Sequence, residues 1–166
     1  MFQRFPLLLL LVGYSGARAP EGPPQFLGKL VARPSSAIAS NKWSVGVETQ
    51  DRNLTIWDNF ERFLEPLGAK RGRLQGGWHR CDPNGTAGST GEYEWAWLDQ
   101  AVFGLHEKGI KPWIELSYGN AKYPGGGGDG PGAWIPNSTV ALAAFASWSQ
   151  ALVERYSHVT DEFELC

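Results

Sequence analysis

The residues able to do chemistry stand where short apolar runs end. Glu48 closes a run over 43–48; Arg71, Arg73 and Gln75 share one face of a run over 69–75; Glu115, Tyr118 and Asn120 lie in or just beyond 111–116. Two carboxylates of this kind can divide general acid–base and nucleophilic work between them. Glu115, however, falls in mid-run, where pairing with a neighbouring arginine is the plainer expectation, while Glu48 lies nearer the end of its run. An arginine on the polar face of a strand calls for a carboxylate, because burying an unpaired charge is costly. Pairing of Glu48 and Glu115 with Arg71 and Arg73 is thus the structural alternative to catalysis. His79, Cys81 and Asp82 are metal-ligand types, but their spacing matches no common zinc pattern, and neither a metal nor a cofactor is expected.

The elements that must position these groups follow from periodicity. Trp43, Val45 and Val47 alternate with Ser44, Gly46 and Glu48, which predicts a strand with one apolar and one small or polar face. Thr55 and Asp58 have the spacing of a capping box, with Trp57, Phe60, Leu64 and Leu67 following at helical intervals and Gly68 placed to stop the helix. A second strand covers 69–75, and a loop opens at Gly76 and runs through Asn84 and Gly91. A second helix over 95–108 turns Leu98, Ala101, Val102 and Leu105 inward and stops at Gly109. The central strand, 111–116, leads into a glycine-rich stretch over 124–132 that lacks the Gly-Lys-Ser/Thr of a phosphate loop and reads as a flexible rim loop. Asn137 or Ser138 caps a third helix with Leu142, Phe145, Trp148 and Leu152 inward, and 159–165 begins a fourth strand. Strand and helix alternate throughout, so the fold class is α/β with parallel strands.

Composition narrows the partners. The 166 residues carry a net charge of −2 and no basic run, which argues against nucleic acid and anionic membrane surfaces. Eight tryptophans, eight phenylalanines and five tyrosines supply core, and also flat faces on which sugars stack. Residues 1–19 have the form of a secretory signal peptide: Arg4 as the positive region, Leu7 to Val12 as the apolar region, and Ala17-Arg18-Ala19 as the cleavage site. Residues 20–41 read as a flexible lead-in. Secretion into an extracellular compartment is therefore expected, and three glycosylation sequons at Asn53, Asn84 and Asn137 agree with it. All three precede helices, so glycans would lie at the outer edge of the face that carries the strand ends. Cys81 and Cys166 could bridge in such a compartment, but a loop residue and the last residue are not an expected pair.

Four stretches together resemble the clan A glycoside hydrolases, in particular the β-xylosidase and α-L-iduronidase family. They are Trp43-Ser44-Val45-Gly46-Val47-Glu48-Thr49, Arg73-Leu74-Gln75-Gly76-Gly77-Trp78, Tyr93-Glu94-Trp95-Ala96-Trp97-Leu98-Asp99, and the run over 109–120. The resemblance implies a (β/α)8 TIM barrel, of which residues 42–166 would form the amino-terminal half, about the first four strands and three helices. It implies O-glycosyl hydrolysis of an oligosaccharide, polysaccharide or glycoside. Arg73 would hold a nucleophilic carboxylate ionised, while Tyr118 and Asn120, with Trp78, His79 and Glu48, would line or support the sugar subsite. The family's acid/base follows the fourth strand and its nucleophile ends the seventh, so both catalytic carboxylates are expected beyond Cys166. The alternative is a non-catalytic half barrel that holds sugars through Trp78, Tyr118, Trp134 and the glycine-rich loop.

Overall fold

The computed structural model describes residues 26, 28, 31–50, 56–128 and 135–165. The chain divides into two compact units, Met1–Leu30 and Val31–Cys166, and every element below belongs to the second. The expected signal peptide, the first part of the lead-in, Asn53, Thr55, Trp134 and Cys166 lie outside the described residues.

Four strands form one parallel sheet in sequence order: β1 (Ser44–Val47), β2 (Arg71–Gln75), β3 (Lys111–Leu116) and β4 (Phe163–Leu165). Three longer helices link them: α1 (Trp57–Leu64), α4 (Ala96–Glu107) and α5 (Thr139–Tyr156). Two single-turn helices, α2 (Trp78–Cys81) and α3 (Ala87–Thr90), stand between β2 and α4. The stretch opening at Gly76, read as a loop, thus contains two helical turns. β1 and β4 each pair on one side only, so the described sheet is open at both edges.

Register divides the sheet into two chemically different faces. Arg71 lies beside Ser44 and Lys111, Arg73 beside Gly46 and Trp113, and Gln75 beside Glu115, which in turn lies beside Glu164. Paired residues in a parallel sheet point the same way, so this face is polar from β1 to β4. The intervening positions, Val47, Leu74 and Ile114, are buried against the helices. There they meet Leu98, Val102 and Leu105 of α4 and Trp148 and Leu152 of α5, which are fully buried in the same cluster. Parallel sheets require this cover on the helix side.

Several local expectations need correction. α1 starts at Trp57 with Ile56 at its N-cap, which makes no side-chain capping bond. Its last turn tightens into a 3-10 turn, Glu65–Leu67, and that change of pitch rotates Leu67 outward to 40% exposure. Gly68 adopts the left-handed conformation expected of it, φ 70°. On α5 the inward stripe is Ala141, Ala144, Trp148, Leu152 and Tyr156, and Leu142, one residue out of phase, is exposed. Ser138 is the N-cap, accepting from the Ala141 amide at 3.1 Å. β4 is shorter than the expected 159–165 because the Val159 and Thr160 amides still bond the Tyr156 carbonyl and prolong the helix end. The lead-in is structured from Ser35, which is buried and bonds the Glu65 carbonyl, and Asn41 bonds the Gly68 carbonyl. Among the described residues, no helix is long and apolar enough to cross a membrane.

Candidate functional site

Parallel strands bring all their carboxyl ends to one edge, so Glu48, Gln75, Tyr118 and the segments that follow share a rim. Below it, the polar face carries a ladder of ion pairs. Arg71 Nε donates to both oxygens of Glu162, at 2.8 and 3.0 Å, and Lys111 approaches the same carboxylate at 3.2 Å. Lys111 also bonds Asp161, which raises the ammonium pKa and lowers that of the exposed carboxyl. Arg73 Nε donates to Glu164 at 2.9 Å, and its Nη1 stands 3.2 Å from Glu115 Oε2, an ion contact without hydrogen-bond alignment. The Arg73 guanidinium also lies over the Trp113 ring, 5.6 Å from its centre. The carboxylate partners expected for the two arginines are therefore present. Glu48 is not one of them: it accepts from the Gln75 amide at 2.7 Å, while Gln75 Oε1 takes the Thr49 amide at 2.8 Å. Glu115 and Glu48 thus hold separate partners.

The rim is built by β2 and β3 handing their backbone bonds across as the strands end. Gly76 bonds the Glu115 carbonyl at 2.8 Å and Trp78 the Ser117 carbonyl at 2.9 Å; the next peptide, Ser117–Tyr118, is cis. This places Trp78 in the core, fully buried, stacked on Tyr123 at 5.1 Å and edge-on to Phe145 at 5.4 Å. Trp78 therefore offers no ring face to a sugar and acts as a support. Asn120 is buried too: its Nδ2 donates to the Asp82 carbonyl at 2.7 Å and its Oδ1 accepts the Lys122 amide at 3.0 Å. With both ends of its amide engaged, Asn120 also supports the rim. His79 and Tyr118 are half-buried and Glu48 is exposed, so these three keep solvent-accessible surface near the strand ends.

Asp82, named from the sequence only as a metal-ligand type, has a structural role that the sequence did not reveal. Its Oδ1 takes the amides of Thr86 and Ala87 at 3.0 and 3.1 Å, its Oδ2 takes the Tyr123 hydroxyl at 2.6 Å, and its carbonyl holds Asn120. One buried carboxylate so ties α3 to the turn over 120–126. That turn closes on itself through Asn120 N to Gly126 O at 2.8 Å, and a β-carbon at Gly126 would lie 2.0 Å from the Asn120 carbonyl oxygen. The start of the glycine-rich stretch is thus compactly bonded. Cys81 is a free buried thiol directed at the Gly76 carbonyl. Among the described residues, no group of three or more His, Cys, Asp or Glu side chains is disposed to hold a metal ion.

Burial around this hub makes a pH prediction. It pushes the Cys81 thiol from 9.0 up to about 12. Burial, and then the hydrogen bond to Asp82, push the Tyr123 phenol from 10.0 up to about 12. Burial also raises Tyr156, which bonds Asp99 at 2.9 Å. For each group the folded pKa exceeds the unfolded one, so its contribution is intact below the unfolded value and is lost as pH rises toward the folded value. The urea midpoint should hold from neutral pH to about 9 and fall steadily above it. An unchanged midpoint up to about pH 11 would refute the burial of these groups.

A hollow between α1 and α4 is acidic but structural. Three of its carboxylates are engaged: Glu61 with Lys108 at 2.6 Å, Asp99 with Arg155 at 2.6 Å, and Asp58 with Gln100 at 3.2 Å.

The strand-end rim above a polar, ion-paired sheet face belongs to a parallel α/β architecture of four strands, consistent with part of a TIM-barrel-like fold. A solved structure shares it: a family 39 glycoside hydrolase from the gut symbiont Bacteroides cellulosilyticus WH2 is similar to this chain with a TM-score of 0.52 and 24% identity. The similarity covers 81% of this chain and 24% of that one, so the chain spans about a quarter of that protein's length. No protein-family model and no curated protein matches the chain.

Proposed function

We propose that this chain is the amino-terminal portion of a clan A type O-glycosyl hydrolase, carrying the supporting half of its active site. The observation that carries the reading is Arg73, two residues before the end of β2 and held on the polar face by Glu115 and Glu164. There it can stabilise an ionised carboxylate brought against the same face. His79, Tyr118 and Glu48 contact the sugar in this reading, while Trp78, Asn120 and Asp82 hold the rim. The acid/base and the nucleophile come from strands outside this chain, since the carboxylates on the described polar face already have partners. Likeness in fold to a glycoside hydrolase supports the substrate class, a carbohydrate.

The test uses a panel of nitrophenyl glycosides, assayed with this chain and with any longer product of the same gene. The chain should give no turnover above buffer, and the longer product should hydrolyse at least one glycoside. In that product Arg73→Lys should lower kcat/KM about 10²-fold, since it removes a fixed, forked charge beside the reacting carboxylate. Turnover by the present chain, or inactivity of the longer one across the panel, would defeat the proposal.

One observation favours a second reading. Each glutamate of the described polar face is bonded or ion-paired, so the face is complete without catalysis, as a sugar-binding half barrel requires. Sugar-dependent quenching of tryptophan fluorescence in the present chain, without hydrolysis, would support it.

A further inference from the structure

We infer that Asn84 and Asn137 are both N-glycosylated and that their two glycans cover a single patch on the outer rim. The sequons lie far apart in sequence, yet both abut the turn over 120–126. Asn84 is exposed in the turn that the Gly85 amide closes on the Asp82 carbonyl at 3.3 Å. Its neighbour Gly85 lies against Lys122, so that a β-carbon at Gly85 would come within 2.5 Å of Lys122 Cβ. From the other direction, the exposed Asn137 donates its backbone amide to the Gly125 carbonyl at 2.9 Å. Its Oδ1 is the side-chain atom turned toward Gly125, 2.8 Å from where a β-carbon there would sit, so Nδ2 is directed away from the turn.

Both sequons are therefore presented at the surface, Asn84 on a turn and Asn137 just before the N-cap of α5, each with a threonine two residues on, Thr86 and Thr139, that is itself exposed. The signal-peptide form of residues 1–19 would deliver the chain to the compartment where the reaction occurs. There the asparagine Nδ2 attacks the anomeric carbon of a lipid pyrophosphate-linked oligosaccharide. The N–C bond forms as the C–O bond to pyrophosphate breaks, Nδ2 loses a proton, and the lipid pyrophosphate departs.

Glycans flanking 120–126 from both sides would screen Lys122, which is exposed between them, and leave the far end of the sheet open, where Lys42 precedes β1. The full chain is to be expressed in a secretory animal cell line and treated with peptide-N-glycosidase. Peptide mass spectrometry should find Asn84 and Asn137 both converted to aspartate, and N84Q and N137Q should each remove one step in electrophoretic mobility. Lysine acylation of the native glycoprotein should then be several-fold slower at Lys122 than in the deglycosylated protein, with Lys42 unchanged. An unmodified Asn84 or Asn137 would overturn the assignment. Full occupancy with equal acylation rates at Lys122 would overturn the shared patch.

Discussion

Replacing Trp78 by alanine should cost about 3–5 kcal/mol of folding stability. The ring is completely buried, stacked on Tyr123, edge-on to Phe145 and 6.5 Å from the Trp148 ring. It is therefore the point at which α2, α5 and the turn over 120–126 meet. Deleting it removes both the transfer free energy of a large aromatic ring and its packing, and three different elements border the void, so it cannot close by a shift of one. Against the roughly 5–15 kcal/mol that holds an ordinary domain together, this is a large share. Trp78 Nε1 is buried without a hydrogen-bond partner, so phenylalanine forfeits no bond there. Trp78→Phe should accordingly cost only about 1–2 kcal/mol, the price of a smaller ring. Urea unfolding at constant slope measures both variants. A cost below about 1 kcal/mol for Trp78→Ala would place the ring at the surface and restore it as a sugar platform.

Arg73→Ala should destabilise by about 3 kcal/mol, almost all of it through Glu115. Glu115 is 1% exposed, and Arg73 is its ion partner on the polar face. Removing the cation strands a buried carboxylate. The second partner, Glu164, shares a 35% exposed environment with Arg73 and contributes within the small range of surface pairs. Arg71 supplies the internal comparison: it is 43% exposed and its partner Glu162 25% exposed, so Arg71→Ala should cost no more than about 1 kcal/mol. Replacing both members of the buried pair, Arg73→Met with Glu115→Leu, should recover most of the loss, because no buried charge is then left without a partner and Glu164 is partly exposed. Thermal and urea unfolding of the three variants decide the matter. Equal costs for Arg71→Ala and Arg73→Ala would show that Glu115 is solvated in the folded state. The double variant also separates the two roles of Arg73: it should restore folding without restoring activity in a longer product.

What was legible in the sequence is local. Alternation of Val45 and Val47 with smaller or polar residues marks a strand whatever it pairs with, and Leu98, Ala101, Val102 and Leu105 mark the inward face of α4 because helical spacing alone aligns them. Gly68 and Gly109, at φ 70° and 71°, end their helices for a reason confined to one residue, the absence of a β-carbon. The need of Arg71 and Arg73 for carboxylates was legible too, and so was Glu115 as one of them, but Glu162 and Glu164 were not. Glu162 and Glu164 lie 91 residues from the arginines, and only the order of the strands brings β4 beside β3 and within reach of β2. Trp78 and Asn120 read equally well as binding groups or supports, because a sequence shows the chemistry of a ring or an amide and not which neighbours surround it. Asp82 looked like a spare ligand until the chain's path set two amides and the Tyr123 hydroxyl around it. Periodicity and turn chemistry act within one element and can be read from it. Burial and charge pairing depend on which elements become neighbours, and that was decided only when the tertiary structure formed.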